Sequence, residues 1–457
     1  MMRLLKIFTK NKLAPLTILA IFIISALFIG QNLNKPFWGI HDYNGAFFGN
    51  IAKNYVSYGY IETRFGQIVN GERTKTEGFD FHTHYGPLLP ILISISYRLF
   101  GISEWATRLV PLLSTAGVVT VIFLLGNELS GFKFGLGASL FALVTPMFRY
   151  FGKNPVHEPV AMFFAMIAIW GAVRILKRHS YGWLLVYSGI ALGMLTNWMA
   201  PFVAVGVTLL VWSKKHYTRI AAIWLIVLIM SLWHFLHTYM LTGYFFGGDF
   251  IRALLVRTSM VKSATDPSAA NLIVFLDTVV LNISDFFTSA LLVAGLGGVF
   301  LWIKDRNLVR FFACLLLLGL GYPFILSNAT YLHSYFIFSL SAFLSFSASY
   351  LIFRVARNNF GWSMMTVLLA SLVFLGGKSL TIELEESNED RIAVEAGEEI
   401  KRTVPTGERV LFRPTNYGYW IIPHLSYYSD REILEGGEYE WTLSLDYINE
   451  KYSLTKK

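Results

Sequence analysis

The chain has 457 residues, of which 54% are hydrophobic and 15% are charged, a composition that excludes an ordinary soluble protein and indicates a polytopic membrane protein. Its single cysteine, Cys314, excludes a disulfide framework or a cysteine metal cluster within one chain. The net charge of +9 is uneven: residues 1–378 hold 29 bases and 13 acids, whereas residues 379–457 hold 9 bases and 16 acids. We therefore divide the chain into a basic membrane module, 1–378, and a small acidic domain, 379–457.

Apolar segments predict about eleven transmembrane helices. The first, 13–30, follows four bases in the first twelve residues, which place the N-terminus in the cytoplasm. No convincing signal-peptide cleavage site follows it, so we expect an anchored helix. The other ten are predicted at 104–126, 134–151, 159–177, 182–197, 198–212, 220–236, 286–304, 308–327, 335–354 and 361–378.

Lysine and arginine residues fall in alternate short connections, which we expect to be cytoplasmic. The segment 85–100 is apolar but short, it contains Pro87 and Pro90, and it would reverse this orientation if it crossed the membrane. We therefore predict that it lies in the outer interface, or re-enters the membrane, as a helix that ends at Gly101. The loop 31–104 and the acidic domain then lie on the outer face.

Two acids are predicted at this outer face. Asp42 lies in the loop 31–104 between His41 and Tyr43, and Glu158 follows His157 just before a span. A long polar loop against a membrane span is a candidate functional site, and we place Asp42 at its centre. Two alternatives stay open: the acids cap helices or pair with bases, or they bind a metal ion, although no ligand spacing links the two acid–histidine pairs.

Three short motifs occur in a characteristic order: Gly39-Ile40-His41-Asp42, then His84-Tyr85-Gly86-Pro87-Leu88-Leu89-Pro90, then Phe100-Gly101-Ile102-Ser103-Glu104-Trp105-Ala106-Thr107-Arg108-Leu109. In this hydropathy profile the combination resembles the GT-C glycosyltransferases. It is most similar to the group of protein mannosyltransferases, which use dolichyl phosphate mannose, and lipid A aminoarabinose transferases. The resemblance covers about residues 10–215.

The resemblance implies transfer of a sugar, outside the membrane, from a polyprenyl-phosphate-linked donor to a lipid, glycan or protein acceptor. It implies that Asp42 is the base that takes the acceptor's proton as the acceptor oxygen attacks the anomeric carbon. Glu158 stands where many relatives have aspartate, and it is the second candidate catalytic acid. The first loop lacks a second acid beside Asp42, which departs from a paired-acid mechanism. The need for a divalent metal ion, held by Asp42 and Glu158, stays open.

The implied leaving group is a phosphate, which arginine and lysine stabilise well. We therefore expect contacts to the donor phosphate or to substrate from residues of the outer face: His41, Tyr43, Arg64, His82, His84, Arg149, Lys153, His157, Arg252 and Arg257. Arg73, Lys75 and Lys262 are further bases on this face. The alternative is that these bases contact lipid headgroups or acids.

A second long outer loop, 237–285, contains Gly247-Gly248 and an amphipathic stretch at 251–260. It could close over the site as a lid. The alternative is an interfacial helix with a glycine-rich turn.

The acidic domain begins with a predicted helix through Lys401 and continues with a predicted strand at 409–412, which indicates a small α/β fold. Polar and aromatic residues at 416–420 and 424–428 are candidates for contact with an acceptor. We assign this domain no catalytic role.

The sequence thus predicts an all-α polytopic GT-C-type protein of the plasma membrane, with interfacial helices and a small extracytoplasmic α/β domain. Its expected partners are the lipid-linked donor, the acceptor and membrane lipids, without nucleic acid; no phosphate-binding loop, dinucleotide fingerprint or His-Glu-x-x-His motif occurs. One alternative is a transporter or flippase, which would need charged residues within the spans. Another is a non-catalytic membrane protein whose C-terminal domain binds partners and which does not depend on Asp42.

Overall fold

The computed structural model describes residues 13–69, 78–245, 247–261, 272–305, 308–355, 359–379, 390–415, 419–446 and 448–457. Helices of the membrane module are α1 Leu13–Ile29, α2 Tyr43–Tyr58, α3 Leu88–Phe100, α4 Glu104–Ser130, α5 Phe132–Leu143, α6 Pro146–Phe151, α7 His157–Leu176, α8 Gly182–Met194, α9 Ala200–Val211, α10 Tyr217–Thr242, α11 Gly247–Arg257, α12 Leu272–Trp302, α13 Val309–Leu316, α14 Tyr322–Ile325, α15 Ser327–Leu332, α16 Leu340–Val355 and α17 Asn359–Ser379. A two-residue hairpin, β1 Gln67–Ile68 with β2 Phe81–His82, lies in the first loop.

Five helical segments among the described residues are long and apolar enough to cross a membrane: Glu104–Ser130, His157–Leu176, Lys214–Thr242, Leu272–Trp302 and Ser334–Arg354. Shorter apolar helices occupy Pro15–Ile29, Leu88–Phe100, Phe132–Leu143, Gly182–Met194, Ala200–Val211, Val309–Ile325 and Phe360–Gly376. Each of the eleven segments predicted to span overlaps one of these helices. How many of them cross the membrane stays a prediction.

The helices differ in how far the rest of the chain covers them. The apolar window of Ser334–Arg354 is 89% buried inside the protein, whereas that of Lys214–Thr242 is only 17% buried. Ser334–Arg354 is therefore the centre of the bundle, and Lys214–Thr242 presents its apolar side chains outward, as a lipid-facing helix would. Small residues allow the closest helix contacts: a Cβ on Gly189 of α8 would lie 2.7 Å from the Phe164 carbonyl oxygen of α7.

Four of the predicted spans are not continuous α-helices, and one of them, 335–354, begins with the 3₁₀ segment Ser334–Ser339 before α16. The segment 134–151 divides because Pro146 starts α6 and holds Thr145 in an extended conformation, where the Thr145 hydroxyl accepts the Phe148 N–H. The segment 308–327 contains a π-helical turn, Leu317–Gly321. Helix α12 begins before the predicted 286–304 and breaks at Thr288, whose φ is 62°.

The segment 85–100 contains the short helix α3, which ends at Phe100, one residue before the predicted end at Gly101. Gly101 follows with a φ of 83°, and its N–H donates to the Tyr97 carbonyl oxygen. Such a left-handed residue after a helix favours glycine because it lacks a Cβ.

The C-terminal domain contains helices α18 Arg391–Thr403 and α19 Ile422–Ser429 and strands β3 Val410–Pro414, β4 Ile433–Leu434, β5 Trp441–Asp446 and β6 Lys451–Lys456. The sheet order is β4-β3-β5-β6, with β3 parallel to both neighbours and β5 antiparallel to β6. The predicted small α/β fold is confirmed, and its apolar core includes Ile400, Phe412 and Leu443.

Candidate active site

Asp42 is the residue immediately before helix α2, but it does not act as a helix cap. Its side chain makes no capping hydrogen bond to α2 and is 6% exposed. Instead Oδ2 accepts the Gly39 N–H at 3.1 Å and lies 3.1 Å from Arg108 Nη2. The side chain of Asp42 is therefore not a helix cap. Asp42 instead forms an ion pair with a base, Arg108, which lies 66 residues further along the chain.

Arg108 holds the segment that precedes Asp42. Its guanidinium donates to the carbonyl oxygens of Leu33 at 2.9 Å and of Lys35, and it lies 4.6 Å from the centre of the Phe37 ring. The side chain is 4% exposed. Arg108 was not among the residues predicted for the site. Its position inside an apolar helix was a usable signal, because a charge there is costly unless it is paired.

A narrow cleft opens beside the Asp42 carboxylate. Asn154 donates to Asp42 Oδ1 across 3.4 Å, and the Tyr150 hydroxyl donates to the Ile40 carbonyl oxygen at 3.0 Å. The cleft is lined by Asn32, Lys35, Gly39, Asp42, Arg108, Tyr150, Lys153 and Asn154. It thus combines one carboxylate with two lysines and an arginine.

Arg149 and Lys153 extend from the region of α6 towards the end of α1. Arg149 donates to Gln31 Oε1 at 3.0 Å, and Lys153 donates to the Gln31 carbonyl oxygen at 2.5 Å. Of the two, Lys153 lines the cleft of Asp42. Both bases therefore contact the start of the first loop, although in sequence both lie close to Glu158.

His41 and Tyr43 flank Asp42 in aromatic surroundings. The His41 ring lies 5.3 Å from the rings of both His333 and Tyr335. Desolvation in these surroundings lowers the pKa of His41 to about 4, so this imidazole is neutral at pH 7. Tyr43 stacks on Phe47, and desolvation raises the pKa of Tyr43 to about 12.

Glu158 belongs to a separate buried network at the start of α7. Its Oε1 accepts from Asn197 Nδ2 at 3.1 Å and from the Tyr322 hydroxyl at 3.4 Å. The side chain is 2% exposed. Asp42 and Glu158 are linked through the connecting segment, since Asn154 contacts Asp42 and lies four residues before Glu158.

The two acids do not form a ready metal site. Among the described residues there is no group of three or more histidine, cysteine, aspartate or glutamate side chains placed to hold a metal ion. Asp42 is paired with Arg108, and Glu158 is engaged by Asn197 and Tyr322. We therefore derive no step through a metal ion.

A second cluster joins the predicted histidines to a distant arginine. Arg257, at the end of α11, has Nη2 3.3 Å from His84 Nδ1 and its guanidinium 4.9 Å from the centre of the Tyr85 ring. The Tyr85 ring lies 4.4 Å from that of His157, and His82 lies 4.8 Å from His84. Desolvation, together with the neighbouring histidines and Arg257, lowers the pKa of His82.

Other predicted contacts lie apart from these clusters. Arg64 donates to the Met240 carbonyl oxygen at 3.0 Å on the exposed side of the first loop, and Arg252 is exposed on α11. Gly247 and Gly248 are the first residues of α11 and do not form a separate turn. Three further bases lie outside the described residues: Arg73, Lys75 and Lys262.

The family comparison covers part of this site. Residues 84–239 match the model of the family described as dolichyl-phosphate-mannose-protein mannosyltransferase. The predicted resemblance to this family is confirmed. The matched range contains His84, Arg108, His157 and Glu158, whereas Asp42 precedes it. No curated protein sequence gives a significant match to the chain.

Two solved structures share the fold. ArnT from Cupriavidus metallidurans, bound to undecaprenyl phosphate, matches with a TM-score of 0.63 and 11% identity over 92% of this chain and 85% of that one. The oligosaccharyltransferase of Archaeoglobus fulgidus matches with a TM-score of 0.60 and 14% identity over 93% of this chain. The match spans 65% of that longer protein. The chain has a GT-C fold.

The C-terminal domain of this GT-C fold contacts the first loop directly. Tyr427, Tyr428 and His424 are buried, at 5%, 9% and 0% exposure, so they do not present an open surface to an acceptor. Trp420, by contrast, is exposed. The earlier part of the predicted contact region, 416–418, lies outside the described residues.

Proposed function

We propose that the chain is a glycosyltransferase that moves a sugar from a polyprenyl-phosphate-linked donor to a hydroxyl of a lipid, glycan or protein acceptor. One observation carries this proposal: within a GT-C fold, the buried carboxylate of Asp42 lines a cleft together with Lys35, Arg108 and Lys153. A carboxylate suits removal of the acceptor's proton, and the bases suit an anionic substrate.

The donor class is inferred from the similar structures. The ArnT structure contains undecaprenyl phosphate, and a second structure of the archaeal oligosaccharyltransferase AglB, from Archaeoglobus fulgidus, is a complex with an inhibitory peptide and a dolichol-phosphate. This second structure matches with a TM-score of 0.57 and 13% identity. We propose a polyprenyl phosphate carrier for this chain also, and we expect the reaction on the outer face of the plasma membrane.

Asp42 is the proposed general base. Its Oδ2 is fixed by Gly39 and Arg108, whereas Oδ1 has the longer 3.4 Å contact with Asn154. Oδ1 is therefore the oxygen that we expect to take the acceptor's proton. As the acceptor oxygen bonds to the anomeric carbon, the bond from that carbon to the phosphate oxygen breaks, and the polyprenyl phosphate leaves from the opposite side with inversion of the anomeric centre.

Arg257 is the base that we propose for the donor phosphate. It is held against His84 and Tyr85, and a guanidinium can stabilise phosphate oxygens as negative charge develops on them. Among the described residues, both ring nitrogens of buried His157 and Nε2 of His82 lack hydrogen-bond partners. These nitrogens are candidates for hydrogen bonds to the sugar or the phosphate.

Glu158 is proposed as a positioning residue and not as the base. Its carboxylate binds Asn197 and Tyr322, which come from other parts of the bundle. These contacts fix the start of α7, which carries His157.

Arg257 at the end of α11 also supports the interpretation of that helix as a lid. Movement of α11 would move the proposed contact with the donor phosphate.

The test uses membranes from the cells in which the chain occurs, with the protein removed and then restored as wild type or Asp42→Asn at matched levels. Radiolabelled polyprenyl-phosphate sugars are supplied in one arm and nucleotide sugars in another, with synthesis of lipid-linked sugar blocked. We expect wild type to transfer label from at least one lipid-linked donor and to release polyprenyl phosphate, and Asp42→Asn to lower the rate about 100-fold or more. Recovery of intact donor on the opposite side of sealed vesicles, with no cleavage by wild type, would instead favour the transporter.

A further inference from the structure

Helix α19 of the C-terminal domain packs directly against helix α2, which begins just after Asp42. Asn50 Nδ2 of α2 donates to the Pro423 carbonyl oxygen at 2.8 Å, and Lys53 Nζ donates to the Tyr427 carbonyl oxygen at 2.5 Å. A Cβ on Gly49 would lie 2.7 Å from a Tyr427 ring carbon. The two helices are thus in close contact along one face.

The same domain also binds the backbone just before Asp42. The Phe37 N–H donates to the Tyr428 hydroxyl oxygen at 2.7 Å in a buried hydrogen bond that joins positions 391 residues apart. The next residue, Trp38, accepts the Asp390 N–H at its carbonyl oxygen at 3.3 Å. Two consecutive residues of the first loop are therefore fixed by the C-terminal domain.

Phe37 connects this contact to the proposed base. Its ring packs edge-on against Tyr427 and Tyr428, with ring centres 5.1 and 6.4 Å away, and the Arg108 guanidinium lies 4.6 Å from the Phe37 ring centre. Arg108 in turn lies 3.1 Å from Asp42 Oδ2. Tyr428, Phe37, Arg108 and Asp42 therefore form one continuous series of buried contacts.

We propose that Tyr428 is a positioning residue for Asp42, and that the C-terminal domain is in this way a part of the active site. This inference rests on the proposed function. The Tyr428 hydroxyl is the partner of a buried backbone N–H, and loss of that partner would favour a shift of the Phe37 segment towards another acceptor or water. Since Arg108 stacks on Phe37, such a shift moves the Arg108–Asp42 pair, and a small displacement of a catalytic group lowers a rate strongly.

The test compares Tyr428→Phe with Tyr427→Phe in the full-length protein. Tyr428→Phe removes the acceptor of the Phe37 N–H and keeps the ring. Tyr427→Phe is the matched control, because the Tyr427 hydroxyl lies 3.4 Å from the Tyr97 hydroxyl, whereas the Phe37 N–H donates to Tyr428. Both variants keep the aromatic packing on Phe37, so both are expected to fold.

Two measurements are made on each variant. Amide hydrogen exchange is followed in peptides that cover residues 33–42, without substrate. Initial rates of sugar transfer are then measured over a range of donor and acceptor concentrations. For Tyr428→Phe we expect exchange at Phe37 at least fivefold faster and kcat about tenfold lower, with the KM for the donor within twofold of wild type. Tyr427→Phe should stay within twofold of wild type in both measurements.

Unchanged exchange at residues 33–42 in Tyr428→Phe would overturn the inference. An unchanged kcat despite faster exchange would also overturn it, because the contact would then be structural only. A wild-type protein that transferred no sugar from any lipid-linked donor would contradict the proposed function, and the exchange result, obtained without substrate, would still report on the contact between Tyr428 and Phe37.

Discussion

Arg108 makes both an ion pair with Asp42 and several bonds to the loop that carries it, and a lysine cannot reproduce this geometry. The guanidinium reaches Asp42, two or more carbonyl oxygens of the first loop, and the Phe37 ring. A lysine would keep the charge but would lose the planar fork and the stacking.

Arg108→Lys is therefore expected to lower kcat about tenfold, which corresponds to ~1.4 kcal/mol. The control is Arg174→Lys, which alters a partly buried arginine–carboxylate pair with Glu128. Steady-state kinetics of sugar transfer measure the effect. An Arg108→Lys enzyme as active as wild type would show that the geometry of this pair does not matter.

Gly39 is a position at which the backbone approaches two functional side chains. A Cβ there would lie 2.6 Å from the Tyr150 hydroxyl oxygen and 3.1 Å from Asp42 Oδ2. Gly39→Ala should therefore displace Tyr150 or Asp42 and lower transfer about tenfold or more.

Adding Tyr150→Phe to Gly39→Ala removes the atom in the closest contact and should restore part of the lost rate. Tyr150→Phe alone serves as the control, because it loses the hydrogen bond to the Ile40 carbonyl oxygen. The measurement is the initial rate of sugar transfer by the two single variants and the double variant, compared with wild type. If Gly39→Ala retains the full rate, the close approach does not constrain the base.

Asp42 could be selected from the sequence because an acid in a polar loop beside a membrane span is conspicuous. Its partner could not, because the direction of Arg108 depends on how α4 is rotated within the bundle. Arg149 and Lys153 illustrate the same limit: they are near Glu158 in sequence, yet they bind Gln31. Arg257 was among the predicted bases, but its contact with His84 joins positions 173 residues apart.

At the scale of elements, α2 and α19 are held together partly by ionised groups. Lys53 Nζ lies 2.7 Å from Asp430 Oδ1, and Lys401 Nζ lies 2.6 Å from Asp430 Oδ2. Partial burial by itself would raise the pKa of Asp430, but Lys53 and Lys401 outweigh it and lower that pKa below its ordinary value. Burial lowers the pKa of Lys53, against the opposing effect of Asp430.

Because the pKa of Asp430 is lowered in the folded state, its contribution to docking is present above the ordinary aspartate pKa of about 4. It is lost as the pH falls through the lowered value. We expect hydrogen exchange in α19 to accelerate below about pH 4, relative to exchange in α18, after correction for intrinsic rates.

Asp430→Asn is the control for this pH dependence. Asparagine also tolerates the left-handed backbone of this position, where φ is 52°. The variant should exchange faster than wild type at pH 6 and should lack the wild-type increase on acidification. Identical pH profiles for the two proteins would exclude a role for Asp430 in docking.

Hydropathy located the apolar helices well, because a run of apolar residues is a local property of the sequence. The helix break within 134–151 was also visible in the local sequence, at Thr145-Pro146, but the predicted span continued through it. In contrast, the docking of α19 on α2 joins parts of the chain about 370 residues apart, and it depends on shape complementarity that one sequence does not display.

For the whole molecule, the predicted topology places the C-terminal domain outside and the connection that contains Lys215 in the cytoplasm. The buried Cys314 is first replaced by Cys314→Ser. Glu435→Cys and Lys215→Cys, both at exposed positions, are then introduced separately. In intact cells we expect a membrane-impermeant maleimide to label only Glu435→Cys, and permeabilised cells to label both. The opposite pattern would reverse the proposed orientation.

A second carboxylate–arginine pair, Glu128 with Arg174, provides a control for substitutions at Asp42. Helix α4 carries Arg108 near one end and Glu128 near the other, roughly 30 Å away at 1.5 Å per residue. Glu128 forms a partly buried ion pair with Arg174 and accepts the Trp170 indole N–H at 2.8 Å. Within the described part of the chain, α4 thus contributes to a carboxylate–arginine pair at each of its two ends, and the pair with Asp42 lies in the proposed active site.

The most direct test measures sugar transfer by purified wild type, Asp42→Asn and Glu128→Gln, using the lipid-linked donor that wild type accepts. Each substitution removes one carboxylate from an arginine at an end of α4, and the effects on folding are compared by thermal unfolding. We predict that Asp42→Asn loses about 100-fold or more of the transfer rate and that Glu128→Gln stays within about threefold of wild type. Equal transfer by wild type and Asp42→Asn would contradict the assignment of Asp42 as the base.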